Sequence, residues 1–292
     1  MKVFITGASG FIGSQVSKQL IGAGHQVLGL ARSEESAKAI KDAGAEAHRG
    51  SLDDLDSLRS GAAAADAVIH LGFIHDFSKF AENCEIDRRA IEAMGDVLAG
   101  TDRPLIVSAG IGPRAGGQIA TENTKPIFNP RMPRVSEETA LAQVPKGVRV
   151  SVVRLPQVHD PYKQGLVPWL IALAREKGVS AYIGEGLNRW AAAHISDVAL
   201  LYRLVAEKGS AGVCYHAVGE EGLTLREIAE SIGRGLKLPV VSISPEEAAA
   251  HFGLIAIFAG TNMPASSALT QQWMDWHPTG PGLIADLDEA KY

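Results

Sequence analysis

The sequence of 292 residues contains little cysteine and no long apolar run, and each scarcity excludes a class of protein. Cys84 and Cys214 have no metal-ligand spacing and are too few for a disulfide framework, so a reducing, cytoplasmic location is expected. No apolar stretch approaches the roughly 20 residues of a membrane-spanning helix, so no membrane partner is expected. The opening residues Met1 to Ile5 predict a strand and not a signal peptide.

Positive charge is also scarce. The chain has 28 Lys and Arg against 33 Asp and Glu, a formal net charge of −5, and no basic cluster. This balance argues against nucleic acid as a partner and favours a small-molecule substrate. The 46% of hydrophobic residues suffice for a packed core. No metal site is predicted.

Short runs rich in Val, Ile and Leu alternate with helical segments through the first half of the chain. The runs are KVFITG, HQVLGLA, AEAHRG, DAVIHLG, RPLIVSAG and VRVSVVRLP. Because they lack strict alternation, they predict strands buried on both faces. Strands that alternate with helices predict an α/β fold, a Rossmann-type doubly wound parallel sheet. We expect this dinucleotide-binding domain to cover residues 1–160, with 192–218 returning to it.

The pattern changes after Arg154. Three prolines interrupt a loop-rich stretch, and the order of elements becomes irregular. LTLREIAESIGRGL has a helical period, and SPEEAAAHFGLIAIF begins with Ser244 and Pro245 as N-cap and first helical residue. Residues 161–292 are therefore predicted to form a smaller, mostly helical, substrate-binding region.

A glycine-rich stretch, TGASGFIG, lies between the first predicted strand and a helix predicted from Ser14 to Ala23. Gly7, Gly10 and Gly13 keep side chains away from the turn, where the helix N-terminus offers amides and a positive dipole to a pyrophosphate. This context favours a dinucleotide site over a turn that binds nothing. The predicted contacts are Gly7, Ser9, Gly10, Phe11, Ile12 and Gly13.

The second strand ends in LGLARSEES, which bears on the choice of cofactor. Enzymes that select NAD usually place an acidic residue here for the ribose 2′-hydroxyl. Arg32 and Ser33 suit a 2′-phosphate instead, so NADP(H) is favoured over NAD(H). The alternative is that Arg32 is solvated and pairs with Glu34 or Glu35.

These features resemble the extended and atypical short-chain dehydrogenases, which include the NAD(P)-dependent epimerases and dehydratases. TGASGFIG resembles the family's TGxxGxxG, and GEGLNRWAAAHISDVA resembles the block that returns the chain to the sheet. The resemblance implies adenine contacts at Ser51 and Leu52, in RGSLDD. It implies nicotinamide-ribose contacts at Leu71, Gly72 and Phe73, in VIHLGF. A homodimer is a family-level expectation.

The family's Tyr-x-x-x-Lys pair is missing. No tyrosine has a lysine four residues later, and the segment that should hold the pair reads FNPRMPRVSEETAL. The tyrosine position falls on Asn129 or Pro130, and the lysine position on Pro133 or Arg134. Arginine keeps the charge but does not titrate near neutral pH. We expect this stretch to be a loop that enters a short helix, with Ser136 as its N-cap.

Other groups are therefore candidates for the chemistry. Tyr162 and His75 are candidate proton donors, with Tyr162 slightly ahead, and the resemblance places Ser108 at the strand end that carries a catalytic hydroxyl. His159, Trp190 and Arg134 are predicted to contact substrate. The sequence thus predicts an NADP(H)-dependent oxidoreductase acting on a small carbonyl, alcohol or imine. A non-catalytic NADP(H) sensor is the main alternative, and a nucleotide-sugar epimerase or dehydratase ranks lower because it needs the missing base.

Overall fold

The first half of the chain alternates strand and helix. A computed structural model describes residues 1–112, 118–125 and 133–292, without the side chains of Phe77 and Leu254. The strands of this half are β1 Lys2–Thr6, β2 Gln26–Ala31, β3 Glu46–Arg49, β4 Ala67–His70, β5 Pro104–Gly110 and β6 Arg149–Leu155. The helices are α1 Phe11–Gly22, α2 Glu34–Asp42, α3 Leu55–Ala63, α4 Phe80–Leu98 and α5 Ser136–Leu141.

The second half has shorter elements in a less regular order. Its strands are β7 Gln157–Asp160, β8 Lys163–Gln164, β9 Ser180–Ile183, β10 Arg189–His194, β11 Val213–His216, β12 Glu220–Thr224 and β13 Val240–Ile243. Its helices are α6 Val167–Lys177, α7 Ile195–Lys208, α8 Leu225–Leu236, α9 Ala248–Phe252, α10 Ala256–Ala259, α11 Ala268–Met274 and α12 Leu283–Glu289. In the described parts of the chain, no helix has the length and apolar character needed to cross a membrane.

Seven strands form one parallel sheet in the order β11-β6-β5-β4-β1-β2-β3. The predicted doubly wound sheet is therefore confirmed. The first strand lies in the middle, where Ile5 pairs with Gly29 of β2 on one side and Ile69 of β4 on the other. Successive strands are added on one side of β1 up to β3 and on its other side from β4 onward. This change of side opens a crevice at the carboxyl ends of β1 and β4.

Helices cover both faces of this sheet. One core includes Val16 and Leu20 of α1, Ile40 of α2 and Leu201 of α7. The opposite core joins the sheet to α3, α4 and α5 through residues that include Leu58, Ile91, Met94 and Ala140. Because both of their faces are buried, β2, β4 and β5 are largely apolar, as the sequence predicts. The edge strand β3 differs from the prediction, since Glu46 and Arg49 at its ends are exposed.

The C-terminal region has its own core, which includes Trp190, Phe252 and Leu283. Beside its helices it holds two small sheets that the sequence pattern did not predict, β12-β10-β7-β8 and β13-β9. Within residues 192–218, which were predicted to return to the first domain, α7 packs against the seven-stranded sheet and β11 joins it.

Two predicted helix starts and one predicted N-cap need correction. The first helix begins at Phe11, immediately after the glycine turn, and not at Ser14. Helix α9 begins at Ala248, because Ser244 and Pro245 belong to a preceding turn in which the Ser244 hydroxyl accepts from the Glu247 amide at 3.3 Å. Helix α5 does begin at Ser136, but Val135 is its N-cap residue and no side chain caps it.

Candidate active site

The turn between β1 and α1 is closely packed against the end of β4. Gly7 has a φ of +72°, and a Cβ there would lie 2.9 Å from the backbone nitrogen of Gly72. A Cβ on Gly13 would lie 2.0 Å from the Gly7 carbonyl oxygen. Both positions therefore require glycine for the fold itself.

Gly10 has a different role, because it is the N-cap of α1. Its φ of −77° is open to any residue, no side chain caps the helix, and the first turn has no acidic residue. The amides at this N-terminus are thus available to an external anion, and the helix dipole favours one. The turn therefore fits the pyrophosphate of a dinucleotide, and the contacts at Gly7, Ser9, Gly10, Phe11, Ile12 and Gly13 stay predictions.

The other predicted cofactor residues follow β2, β3 and β4 at the same edge of the sheet. Leu52 is close to Gly72, since a Cβ on Gly72 would lie 3.1 Å from Leu52 Cδ2. The Gly72 amide donates to Thr6 Oγ1 at 3.0 Å. The Ser51 hydroxyl donates to Asp53 at 2.5 Å. The ends of β1, β3 and β4 are thus joined through these contacts, while Leu71 and Phe73 are half-buried beside them.

Arg32 and Ser33 differ in their surroundings. Arg32 is exposed and forms no ion pair among the described residues. Of its two predicted partners, Glu34 pairs with Arg49 instead. The Ser33 hydroxyl caps α2 by accepting from the Ser36 amide at 3.1 Å. Arg32 is therefore the stronger candidate for a phosphate contact, since the Ser33 hydroxyl already has a structural partner.

A chain of buried polar groups runs below the crevice. The Thr6 hydroxyl contacts His70 Nδ1 at 2.7 Å, and His70 Nε2 contacts Asp87 Oδ1 at 3.1 Å. Ser136 Oγ donates to Asp87 Oδ2 at 2.5 Å and accepts from Arg134 Nε at 2.8 Å. The network assigns Nδ1 of His70 as acceptor and Nε2 as donor. Burial alone would raise the pKa of Asp87, but the His70 hydrogen bond and the Arg134 charge lower it.

This network of buried hydrogen bonds fixes the position of Arg134. Its guanidinium carbon lies 4.1 Å from the centre of the Phe73 ring, and its Nη2 donates to the Ser108 carbonyl at 3.3 Å. The Arg134 charge therefore lies between the ends of β4 and β5, with 27% of the side chain exposed. Of the positions aligned with the family's pair, Pro133 and Arg134 are described, and Asn129 and Pro130 lie outside the described residues.

The Ser108 hydroxyl points into the core. It donates to the His70 carbonyl at 2.9 Å and contacts the Tyr202 hydroxyl at 2.7 Å, and the residue is 5% exposed. Burial raises the pKa of Tyr202, so this partner stays protonated. The placement argues against direct contact between the Ser108 hydroxyl and a substrate.

The two predicted proton donors lie in different surroundings. His75 lies at the crevice, with its ring centre 5.2 Å from that of Phe73. Partial burial and the Arg134 charge lower the pKa of His75, so its neutral form dominates at neutral pH. Tyr162 is 86% exposed, while the next residue, Lys163, places its ammonium 5.4 Å from the centre of the Phe11 ring. Sequence reasoning missed Lys163, which begins β8, whereas Tyr162 lies in the turn before that strand.

Two predicted substrate contacts are fully buried elsewhere. Trp190 is 0% exposed in the C-terminal core, and its indole N–H donates to the Phe258 carbonyl at 3.2 Å. His159 is also 0% exposed, and its Nδ1 contacts Asp286 Oδ2 at 2.6 Å. Both placements argue against a substrate contact, because neither side chain reaches the crevice surface.

Comparisons with known proteins agree with this architecture. The NAD dependent epimerase/dehydratase family matches residues 3–218. An uncharacterized protein of Schizosaccharomyces pombe is 48% identical over 100% of both chains. A 4-hydroxy-2-methyl-3-oxo-4-farnesyl-3,4-dihydroquinoline-1-oxide ketoreductase of Stigmatella aurantiaca is 26% identical over 87% of this chain and 80% of its own.

The fold is also that of solved structures. A dTDP-glucose 4,6-dehydratase of Streptomyces venezuelae, solved with NAD bound, superposes with a TM-score of 0.77 at 19% identity. The superposition covers 99% of this chain and 96% of the other. At this identity the likeness shows the fold alone.

Proposed function

The chain belongs to the NAD-dependent epimerase/dehydratase family, and we propose that it is an NADP(H)-dependent oxidoreductase acting on a small carbonyl, alcohol or imine. The observation that carries this proposal is the uncapped N-terminus of α1, which follows Gly7 and Gly10 at the crevice. The distant relatives include a ketoreductase, which supports carbonyl chemistry.

A bound nicotinamide cofactor would supply or accept the hydride. The glycine turn would hold the pyrophosphate, and Arg32 would pair with the 2′-phosphate of NADP(H). Leu71 and Phe73, at the end of β4, would line the crevice beside the reacting group. Location in the cytoplasm and assembly as a homodimer stay predictions.

His75 is the proposed proton donor in the direction of carbonyl reduction. It lies beside Phe73 and Arg134, whereas the Tyr162 side chain is largely in solvent. An imidazole can donate a proton as this step requires, and because the pKa of His75 is lowered, its protonated form is populated below neutral pH. Arg134 keeps a permanent positive charge near the same point and would stabilise negative charge that develops on a carbonyl oxygen.

A non-catalytic NADP(H)-binding protein is the second candidate. Two observations favour it: the Ser108 hydroxyl is held by groups of the core, and Tyr162 faces solvent. Such a protein would keep the cofactor turn and still lack turnover.

Two measurements separate these functions. Titration with NADPH and NADH, followed by the fluorescence of the reduced nicotinamide, tests the binding that both functions require. A screen of carbonyl and imine compounds for loss of NADPH absorbance then tests turnover. Binding with turnover supports the oxidoreductase, and binding without turnover across the screen supports the sensor. Absence of binding contradicts both.

A further inference from the structure

Three basic side chains from separate parts of the chain gather at the crevice. Arg134 precedes α5, Lys163 lies in β8, and His75 follows β4. Arg134 stacks on Phe73, Lys163 lies over Phe11, and His75 packs edge-on against Phe73. The turn that leads to Phe11 packs on Gly72, the residue before Phe73, so both rings lie at the same crevice. Besides partial burial, the charges of Arg134 and Lys163 both lower the pKa of His75.

Two carboxyl groups lie near Arg134 and Lys163, and their oxygens already accept hydrogen bonds from other groups. Asp87 lies 3.8 Å from Arg134 Nη2, but it is 1% exposed and already bonded by His70 and Ser136. Asp160 Oδ1 accepts from the amides of Tyr162 and Lys163, both at 2.8 Å. Asp160 thus orders the β7–β8 turn through the backbone.

The walls of the crevice limit the shape of a ligand. Phe73 and Phe11 are half-buried aromatic rings, and each has a cation over its face. Such a site favours a ligand with a small apolar or planar body and an anionic group that the two cations can share.

We propose that Arg134 and Lys163 bind an anionic group of the substrate, so that the substrate class is a small oxo acid or hydroxy acid and not a neutral carbonyl compound. This inference rests on the proposed oxidoreductase function. Arginine suits a carboxylate because its planar fork can donate two parallel hydrogen bonds, and lysine adds a point charge. His75 then lies beside the oxo group that is reduced.

Phosphate groups of the cofactor are a second source of the same anionic chemistry, because Lys163 lies over the first residue of α1. Under that alternative, loss of Lys163 weakens NADPH binding and leaves the binding of a small carboxylate unchanged.

The test uses oxalate and its neutral diamide oxamide as probes, by calorimetry with and without saturating NADPH. We expect the protein to bind oxalate at least about 10-fold more tightly than oxamide. Arg134→Met and Lys163→Met should each weaken oxalate binding by about 10- to 100-fold and leave NADPH affinity within about 3-fold. Arg134→Lys should recover most of the oxalate affinity, which a loss of folding would not allow. Lys177→Met, on α6, is the matched control and should change neither.

Equal binding of oxalate and oxamide would overturn the proposal, as would a Lys163→Met variant that loses NADPH affinity alone. Because oxalate is also measured without cofactor, this result is independent of the proposed function. Failure to bind NADPH contradicts the oxidoreductase, whereas failure to prefer the anion contradicts only the substrate class.

Discussion

At the scale of single residues, the charge of Arg32 is predicted to select the cofactor. Arg32→Asp should weaken NADPH binding by about 10- to 100-fold, since it removes a charge-assisted contact and repels the 2′-phosphate. NADH binding should change little. Arg59→Asp is a suitable control, because Arg59 is a surface residue of α3 that pairs with Asp56. Fluorescence titration of each variant measures both affinities, and equal loss for the two cofactors would contradict the prediction.

His75 is predicted to set the pH dependence of turnover. Carbonyl reduction needs the protonated imidazole, so the rate should fall as pH rises through the His75 pKa, which lies below the usual value of about 6.5. His75→Gln should lower kcat by about 10²-fold and remove this dependence. Tyr162→Phe, the comparison variant, should have little effect because the side chain is exposed. Steady-state rates across pH decide the assignment, and a large loss in Tyr162→Phe alone would transfer the role to Tyr162.

Part of the site could be predicted from sequence because its residues are close together in the chain. The glycine turn, Arg32 and the absence of Tyr-x-x-x-Lys are all local features. The contact between Ser136 and Asp87 joins residues 49 apart, and that between His70 and Thr6 joins residues 64 apart. Pairings of this kind depend on the assembled sheet, and a single sequence does not specify them.

At the scale of elements, two glycines near the β1–α1 turn have different roles. Gly10 leaves room for the cofactor, and Gly13 is required by the fold. A Cβ at Gly10 meets only the Gly7 carbonyl oxygen, at 3.1 Å, whereas a Cβ at Gly13 would lie 2.0 Å from the same atom. Gly10→Val should therefore abolish NADPH binding, because its side chain stands before the amides of α1, and leave the fold largely intact.

Gly13→Ala is the contrasting variant and should lower the unfolding midpoint, since the turn must open to admit the methyl group. Thermal unfolding and NADPH titration of both proteins check this pair. A Gly10→Val protein that binds NADPH like the parent would show that the turn does not hold a pyrophosphate.

The large sheet was easier to predict than the small ones for a physical reason. Strands buried on both faces, such as β4 and β5, are rich in Val, Ile and Leu. Strands such as β12 and β13 are partly exposed and of mixed composition, as in Glu220–Thr224 and Val240–Ile243. Their pairing depends on distant partners, so local pattern carries little information about them.

At the scale of the whole molecule, α12 is fixed to β7 by one buried polar contact. Asp286 is 1% exposed and its Oδ2 lies 2.6 Å from His159 Nδ1. Burial lowers the pKa of His159 despite the neighbouring Asp286 and Glu220, so the imidazole is neutral at neutral pH and donates to Asp286 through Nδ1–H. The C-terminal helix thus gives the buried Nδ1–H of His159 a hydrogen-bond acceptor, whereas Nε2 has no hydrogen-bond partner among the described residues.

Asp286→Ala is therefore predicted to destabilise the protein by about 2–3 kcal/mol, because it leaves the His159 N–H buried and unsatisfied. Glu289→Ala, on the same helix, is the matched control. The Glu289 side chain is exposed, so its loss should change the free energy of unfolding by less than about 1 kcal/mol. Urea unfolding followed by tryptophan fluorescence measures both free energies. Equal destabilisation by the two variants would mean that α12 is held by its apolar face, through Leu283 and Leu287, and that the buried contact with His159 adds little.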